Sequence, residues 1–269
     1  MKHETIYSKE HLLYLKGVQK KNVVVNIARF AILALFLVLW ELSAQFAWIN
    51  PFITSSPSRI VKTIADLYTN GTLFYHVGTT LWETLAGFFI AVVLGYSTAL
   101  LLWWSELFRR ISEPYFVVLN ALPKIALGPL IIIWCGTGSK AIVFMTVLIG
   151  LIVAILNMLN GFMSTDENKL LLLKSMGATK LQLLTKLVIP SSLPNLISML
   201  KINVGMAWIG SIMGEYIVSK AGIGYLIVYG GQVFKLDLVM SAVFILCILA
   251  AAMYALVALL ERLVIKNQK

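Results

Sequence analysis

The residue types that catalysis uses most often occur in this chain, but no familiar spacing joins them into a catalytic site. The segment from Gly136 to Lys140 contains two glycines and a lysine, yet its spacing differs from that of a phosphate-binding loop. The three histidines, at positions 3, 11 and 76, form no metal-binding pattern, and no Gly-x-Ser-x-Gly motif occurs. Cys135 and Cys247 form no Cys-x-x-Cys pair. We therefore predict that the chain is not an enzyme and holds no metal or cofactor of its own.

Ionisable side chains inside long apolar runs are the strongest candidates for a functional role. Such groups are costly in lipid and usually face a helix-bundle interior or a water-filled path. Lys124 follows Pro123, where a helix break is expected, and a broken helix in a membrane lines a cavity or packs on protein. Two interpretations stay open for Lys124. Together with Asn120 it borders a translocation path, or it extends to the membrane interface.

Lys201 and Glu215 lie in one apolar run and share a helix face, since fourteen residues are close to four turns. They are about 21 Å apart along the axis and cannot pair with each other. We expect Lys201 to act as a topological anchor near the cytoplasmic end. Glu215 is expected nearer the outer end, and a contact with substrate remains open for it. Glu41 and Glu83 are expected at the membrane interface.

The composition fixes the class of protein. Of the 269 residues, 59% are hydrophobic and 13% are charged, against about 25% charged residues in soluble domains. These values exclude a soluble enzyme, a disordered chain and a DNA-binding module. The apolar runs are continuous, whereas barrel strands would alternate, so the fold class is an all-α integral membrane protein.

Six apolar runs are long enough to cross a membrane, which takes about 20 helical residues. The third is interrupted by Pro123, Lys124 and Pro129. We predict a cytoplasmic N-terminal segment at 1–22, one six-helix domain at 23–262 and a cytoplasmic tail at 263–269. The expected spans are 23–49, 84–104, 115–134, 141–163, 193–218 and 238–260.

The basic residues predict the orientation, since Lys and Arg concentrate on the cytoplasmic side. With both termini in the cytoplasm, fifteen of the 22 Lys and Arg residues lie inside and five lie outside. Five or seven spans would place the C-terminal basic cluster outside. The net charge of +10 is therefore assigned to topology rather than to nucleic acid, and membrane lipid is the expected surrounding. The localisation predicted is the cell membrane, as a multi-pass protein.

The loop between the fourth and fifth spans, residues 164–190, is predicted to form two short helices. Ser164 with Glu167 matches a capping box, and Gly177 is a favourable C-terminal stop. Thr179 is placed to open the second helix, which Pro190 is expected to bound. The loop carries four lysines and a row of leucines at 170–173. It either packs on its own bundle or docks a cytoplasmic partner through apolar anchors.

Several motifs resemble those of ABC importer permeases. In that family the cytoplasmic loop begins with Glu-Ala-Ala, has Gly four residues after the second Ala and closes with an apolar-x-apolar-Pro segment. Gly177 and the stretch from Leu187 to Pro194 match this pattern. The remaining motifs resemble the aliphatic sulfonate, taurine and nitrate permease branch, and all of them lie between Ile53 and Arg262. They are Ser56-Pro57-Ser58, Leu119 to Pro123, Pro129 to Trp134, Met206-Ala207-Trp208, Glu215 and Gly222 to Leu226.

The resemblance implies an ABC importer permease fold and a set of partners. These are a cytoplasmic ATP-binding subunit that binds ATP and Mg²⁺, a second permease copy and an extracytoplasmic substrate-binding protein. The glycine-rich segment 222–231 is expected to form an outer loop that touches the binding protein. The expected ATPase-docking residues are Leu171, Lys174, Gly177, Ala178, Lys180 and Pro190. The expected translocation-path residues are Asn120, Pro123, Lys124 and Glu215.

The chain departs from the family at one place. Leucines occupy positions 171–173, where relatives have Glu-Ala-Ala, so docking is expected to depend on apolar contacts and on Lys174 or Lys180. The branch favours a small anion such as a sulfonate, taurine or nitrate, and the alternative is a thiamine or pyrimidine precursor. Two rival classes are an ion-driven secondary transporter, for which the expected repeated halves are not visible, and a membrane scaffold without transport.

Overall fold

The computed structural model describes residues 9–266. The predicted N-terminal segment therefore lies outside the described residues up to position 8, and the predicted tail does so from position 267. The chain forms two compact units, of which the first ends at Lys62 and the second begins at Thr63.

The first unit contains one long apolar helix. Its elements are α1 (Lys9–Gln45), α2 (Pro51–Thr54) and the start of α3 (Pro57–Thr69). Val23–Gln45 is long and apolar enough to cross a membrane, so the first predicted span is confirmed, although it ends four residues early. The Glu41 carboxylate accepts hydrogen bonds from the Ser58 backbone N–H at 3.0 Å and from its hydroxyl at 2.8 Å. These bonds fix the end of α1 against the start of α3.

The second unit is helical throughout. Its long helices are α4 (Leu73–Trp104), α5 (Glu106–Ala121), α7 (Ser139–Met163), α11 (Leu193–Val218) and α13 (Leu236–Lys266). Its shorter ones are α6 (Gly128–Cys135), α8 (Glu167–Ser175), α9 (Lys180–Leu183), α10 (Ile189–Ser191) and α12 (Ile223–Gln232). A 3₁₀ turn (Lys124–Leu127) precedes α6, and a π turn (Leu184–Val188) precedes α10. Residues 9–266 contain no strand, which confirms the all-α class.

The third predicted span is not one straight helix. It comprises α5 and the segment Lys124–Cys135, which meet at an angle of 85°. The chain extends at Leu122 (ψ 130°), because a residue before proline is forced out of the helical region. The predicted break at Pro123 is therefore confirmed, and the interrupted span begins at Glu106, nine residues earlier than predicted. Together the bent pair and the five apolar helices allow up to six spans.

The second predicted span begins eleven residues too late. The structure starts α4 at Leu73 instead of position 84, because its first turns contain the buried polar side chains of His76, Thr80 and Glu83. The hydropathy pattern left these residues out of the predicted span, because polar side chains are expected to face water. Within the bundle they have protein partners instead.

Small residues bring α7 close to two neighbouring helices. A Cβ on Gly87 or Gly95 of α4 would lie 2.4 Å from Thr146 or Ala154 of α7. A Cβ on Gly210 or Gly214 of α11 would lie 2.5 Å from the Thr146 Cα or 3.1 Å from the Ile142 Cα. In the first pair of contacts the residue numbers increase along both helices, so α4 and α7 are parallel. In the second pair the numbers increase along α11 and decrease along α7, so these two helices are antiparallel.

The parallel arrangement settles what the bent pair does. Two parallel neighbours need a connection that returns the chain to the end at which the first helix began. Residues 105–138, which contain α5 and α6, are that connection, so the bent pair carries the chain back across the bundle. We call the end of the bundle at residues 164–190 the loop end. Both α4 and α7 finish there.

Candidate functional site

The loop at 164–190 begins with a capped helix. The Asp166 side chain accepts a hydrogen bond of 2.9 Å from the Asn168 backbone N–H, so Asp166 caps α8. The predicted capping box of Ser164 with Glu167 is wrong, because the Ser164 hydroxyl donates to the Gly161 carbonyl at 2.9 Å instead. Gly177 has φ +80°, a conformation that glycine adopts without strain, and it ends this helix region as predicted.

The second half of the loop starts as predicted and ends differently. Thr179 and Gln182 form a capping box, with the Gln182 side chain accepting from the Thr179 backbone N–H at 2.8 Å. Pro190 does not bound the helix. It lies in the first turn of α10, where the missing N–H leaves no hydrogen bond unmade. The chain therefore continues through Pro190 towards α11.

One face of the loop packs on the bundle. Leu184 and Val188 are buried in a cluster with Met158 and Phe162 of α7, and Leu170 packs against the same cluster. The interpretation that the loop packs on its own bundle is thus correct for this face. The burial fixes the loop to the end of α7, so the loop and α7 move together.

The other face is exposed and apolar. The exposed fractions are 60% for Leu171, 61% for Leu172 and 74% for Met176, and Lys174 is exposed beside them. We call these four residues the docking face. Exposed apolar groups at successive helix positions suit a partner groove, with the lysine charge setting the register. Met176 was missed in the sequence because it lies next to the glycine that ends the helix.

Lys180, which was predicted to dock a partner, bonds within its own chain. Its Nζ donates to the Trp104 carbonyl at 2.5 Å and lies 5.3 Å from the centre of the Trp104 ring. The contact joins the start of α9 to the last residue of α4. Ala178 is half-buried and Gly177 is exposed beside it. Lys180 therefore connects the loop to a second long helix.

The predicted path residues fall into two groups. Asn120, Pro123 and Lys124 lie together at the bend, where the Lys124 Nζ donates to the Asn120 carbonyl at 3.1 Å. Glu215 is buried on α11, and no described contact joins it to them. An apolar groove of about 540 Å³ between α4 and α7, with Trp82 among its lining residues, includes none of the four.

Lys201 has a partner that the sequence did not predict. Its Nζ lies 2.5 Å from the Glu261 carboxylate of α13 and 6.0 Å from the centre of the Tyr254 ring. The lysine therefore joins α11 to α13 and is neutralised there, so the topological-anchor role alone does not describe it. The contact also places the end of α13 beside the start of α11, at the loop end.

A polar cluster at the other end of α11 was also missed. Glu83 and Glu215 are each 1% exposed, whereas Glu83 was expected at the membrane interface. Three side chains accept hydrogen bonds from the first backbone N–H groups of α12 and the residue before it. The acceptors are His76 for Gly222 at 3.1 Å, Thr80 for Ile223 at 2.7 Å and Glu215 for Gly224 at 2.5 Å. The expected outer loop at 222–231 is thus a helix fixed to the bundle. Residues 76, 80 and 83 recur at helical spacing, which is the signal that could have revealed the cluster.

The family follows from a comparison with known proteins. Residues 87–266 match the family described as binding-protein-dependent transport system inner membrane component. The chain belongs to this family. It is therefore a multi-pass permease subunit of ABC importers, and membership implies an ATP-hydrolysing subunit and a substrate-binding protein as partners.

Two curated relatives and one solved structure illustrate the similarity. The formylaminopyrimidine transport permease protein ThiX of Halalkalibacterium halodurans is 32% identical, over 87% of this chain and 93% of its own. The putative aliphatic sulfonates transport permease protein SsuC of Escherichia coli is 26% identical, over 84% and 86%. A chain of the inward-facing MetNI methionine ABC transporter has a TM-score of 0.60 at 19% identity, over 70% of this permease and 96% of that chain. The last comparison supports the fold.

Proposed function

We propose that this permease subunit moves a small solute into the cell, and that separate ATP-hydrolysing subunits, which bind its docking face, drive the transport. The observation that carries the proposal is the two-sided loop. Leu170, Leu184 and Val188 hold it on the bundle while the docking face stays exposed. ATP and Mg²⁺ belong to the partner in this proposal, and the permease supplies the path.

The loop transmits movement through two attachments. The buried leucine contacts join it to α7, and the Lys180–Trp104 contact joins it to α4. When the ATP-binding subunits close, a push on the docking face turns these helices as rigid bodies and switches access between the two sides. In this proposal two copies of the permease surround the path, both termini face the cytoplasm, and a binding protein delivers the solute at the other end.

A formylaminopyrimidine-type solute is the first candidate substrate, ahead of a sulfonate. The support is the higher identity to the formylaminopyrimidine permease and the pairing of Lys201 with Glu261, because a lysine paired with a carboxylate is less available to an anionic solute. Lys124 remains at the bend without a carboxylate partner among the described residues. A taurine-like sulfonate or nitrate is the second candidate.

The docking face is tested by co-purification. The double substitution Leu171→Asp and Leu172→Asp adds charge to two exposed positions, so its effect on stability should stay within about 0.5 kcal/mol. We expect the variant to insert normally and to lose the ATP-binding subunit in a gentle-detergent pull-down. Lys169→Ala, an exposed change on the same helix, should retain it. Retention of the ATP-binding subunit by the double variant would contradict the proposed docking face.

Charge is tested separately. Lys174→Glu reverses the charge of the docking face without removing an apolar side chain. We expect reduced ATP-driven uptake and unchanged membrane insertion. Normal uptake in this variant would show that the lysine does not contribute to docking.

Energy source and substrate are tested by uptake in a host from which this gene is deleted. Returning the gene to this host should restore uptake of labelled formylaminopyrimidine. This uptake should continue in the presence of an uncoupler and stop when ATP is depleted. Uptake of labelled taurine instead would select the second candidate. Sensitivity to the uncoupler alone would indicate a secondary transporter.

A further inference from the structure

The buried pair of glutamates on α4 and α11 is incompletely hydrogen-bonded. Glu83 Oε2 and Glu215 Oε1 are buried and have no hydrogen-bond donor. The two carboxyl groups lie within hydrogen-bonding reach of each other, and the Ser139 side chain lies beside Glu83. Among the described residues, no lysine or arginine forms an ion pair with either carboxyl group. An unpaired carboxylate in an apolar interior is costly, and two in contact repel each other as well.

A single proton removes both problems. We propose that Glu83 and Glu215 bind one proton between them, and that this proton holds the start of α12 against α4 and α11. The proton turns one carboxyl group into a donor, so the contact between two acceptors becomes a hydrogen bond and one of the two buried charges is removed. This inference does not depend on the substrate or on the docking face.

Both carboxyl groups lie at the start of a helix. Glu215 accepts from the Gly224 N–H, in the first turn of the ten-residue helix α12, where the helix dipole stabilises a negative charge. Ser139, which lies beside Glu83, begins the 25-residue helix α7. The two helix starts favour one negative charge on the pair, so the proton is shared by the two carboxyl groups.

Four other titratable side chains lie near the pair in the structure or in the sequence: His76, Tyr225, Tyr216 and Lys140. His76 accepts a hydrogen bond at Nδ1 from the Gly222 N–H, so Nδ1 carries no proton and the ring is the neutral tautomer with its proton on Nε2. Tyr225 of α12 stacks on that ring with centroids 6.0 Å apart. Tyr216 follows Glu215 on α11. Lys140 follows Ser139 at the start of α7 and is exposed.

A metal cation fits the cluster less well than a proton. The His76 nitrogen and the Thr80 oxygen already accept backbone N–H groups, as does the second Glu215 oxygen. Hard cations such as Ca²⁺ take six to eight oxygen ligands. The remaining open oxygens are one on each carboxyl group, which suits a proton.

Infrared spectroscopy of the purified full-length protein in lipid vesicles tests the proposal directly. A protonated carboxylic acid has a carbonyl stretching band that a carboxylate lacks, and isotopic labelling of glutamate identifies it. We expect this band at neutral pH in the wild type and its loss in Glu83→Gln. Glu106→Gln, which changes an exposed acid that pairs with Arg110, should keep the band.

Three results would overturn the proposal. They are the absence of the band in the wild type, its persistence in Glu83→Gln, and its disappearance when Na⁺ replaces choline in the buffer. The last result would mean that a cation occupies the site.

The pH dependence of unfolding provides a second readout. If the native state binds a proton that the unfolded carboxylates release at neutral pH, stability falls as the pH rises. We expect the unfolding temperature of the wild type to decrease from neutral to alkaline pH more steeply than that of Glu83→Gln. The glutamine amide donates a hydrogen bond at every pH, because it has no titratable proton. Equal slopes in the two proteins would contradict a shared proton.

Discussion

At the scale of single residues, polar side chains in this bundle connect helices. Lys201 joins α11 to α13 through Glu261, and Lys180 joins the loop to α4 through Trp104. Glu215 accepts a hydrogen bond from a backbone N–H of α12. Lys180 and Glu215 were predicted as functional residues, and Lys201 was predicted as a topological anchor. The structure gives each a partner within the chain, and in such an apolar setting the partner is as important as the residue itself.

Gly222 shows how tightly one of these contacts is made. Its φ is +103°, and a Cβ there would lie 2.4 Å from the Glu215 carboxyl carbon. Gly136 has a similar conformation, with φ +75°, but nothing lies within 4 Å of its Cβ position. We expect Gly222→Ala to reduce the free energy of unfolding by about 1–3 kcal/mol more than Gly136→Ala, because backbone strain is common to both and overpacking affects only one. Unfolding in detergent micelles measures the difference, and equal losses would exclude the close contact.

The Lys201–Glu261 pair makes a prediction of its own. The two side chains are 23% and 33% exposed, so each charge depends on the other for part of its stabilisation. Lys201→Met leaves the glutamate without its partner and should destabilise the fold. Adding Glu261→Leu should recover part of that stability. A double variant that is less stable than the sum of the single losses would contradict the pair.

At the scale of elements, glycines determine which helix faces meet. Glycines on a membrane helix can serve a subunit interface or packing within the bundle. Gly210 and Gly214 contact α7, so they pack within the bundle, whereas Gly205 has nothing within 4 Å of its Cβ position. The hydrophobic effect does not drive helices together in lipid, so membrane helices associate through close packing. Small residues make this close packing possible.

This difference between glycines of one helix is testable. Gly210→Ala would place a methyl group 2.5 Å from the Thr146 backbone and should cost about 1–3 kcal/mol of stability. Gly205→Ala meets open space and gains the better helix propensity of alanine, so it should be neutral or stabilising by up to about 1 kcal/mol. Thermal unfolding of the two variants side by side is the measurement. A stable Gly210→Ala protein would mean that the two helices can separate at no cost.

Much of the architecture could be predicted from local chemistry, and the largest failures have a common cause. The bounds of α11 agree with the predicted span, α7 begins two residues early, and Pro123, Gly177 and Thr179 act as their residue types predict. The start of α4, the partner of Lys201 and the helix at 223–232 were missed. Each of these depends on a contact between residues distant in sequence. Hydropathy and capping rules describe one segment at a time and cannot supply such contacts.

At the scale of the whole molecule, helix directions count the membrane crossings better than hydropathy does. Because α4 and α7 are parallel neighbours, the bent segment between them returns the chain from the loop end to the opposite end. The basic residues then place the loop end in the cytoplasm. This orientation remains a prediction.

Thiol labelling tests the crossing. In a variant without Cys135 and Cys247, single cysteines are introduced at two exposed positions on either side of the bend, Arg110 and Thr137. We expect a membrane-impermeant reagent to label Thr137→Cys in intact cells and Arg110→Cys only after permeabilisation. Labelling of both from the same side would show that the bent pair re-enters without crossing.

The bend also has a consequence for how the protein is made. Backbone groups that lose their helical hydrogen bonds at Pro123 must be shielded from lipid by protein. Helix α7 provides this shielding, since Ile131 of α6 is buried against Ala141, Met145 and Ile149 of α7. During synthesis the bent segment leaves the ribosome before α7 exists. A nascent chain that stops before Ser139 should therefore leave this segment at the bilayer surface, and lengthening the chain through α7 should draw both halves into the membrane together. Biogenesis of this subunit would then follow the order in which helices find partners, with the third crossing completed only after the fourth has begun.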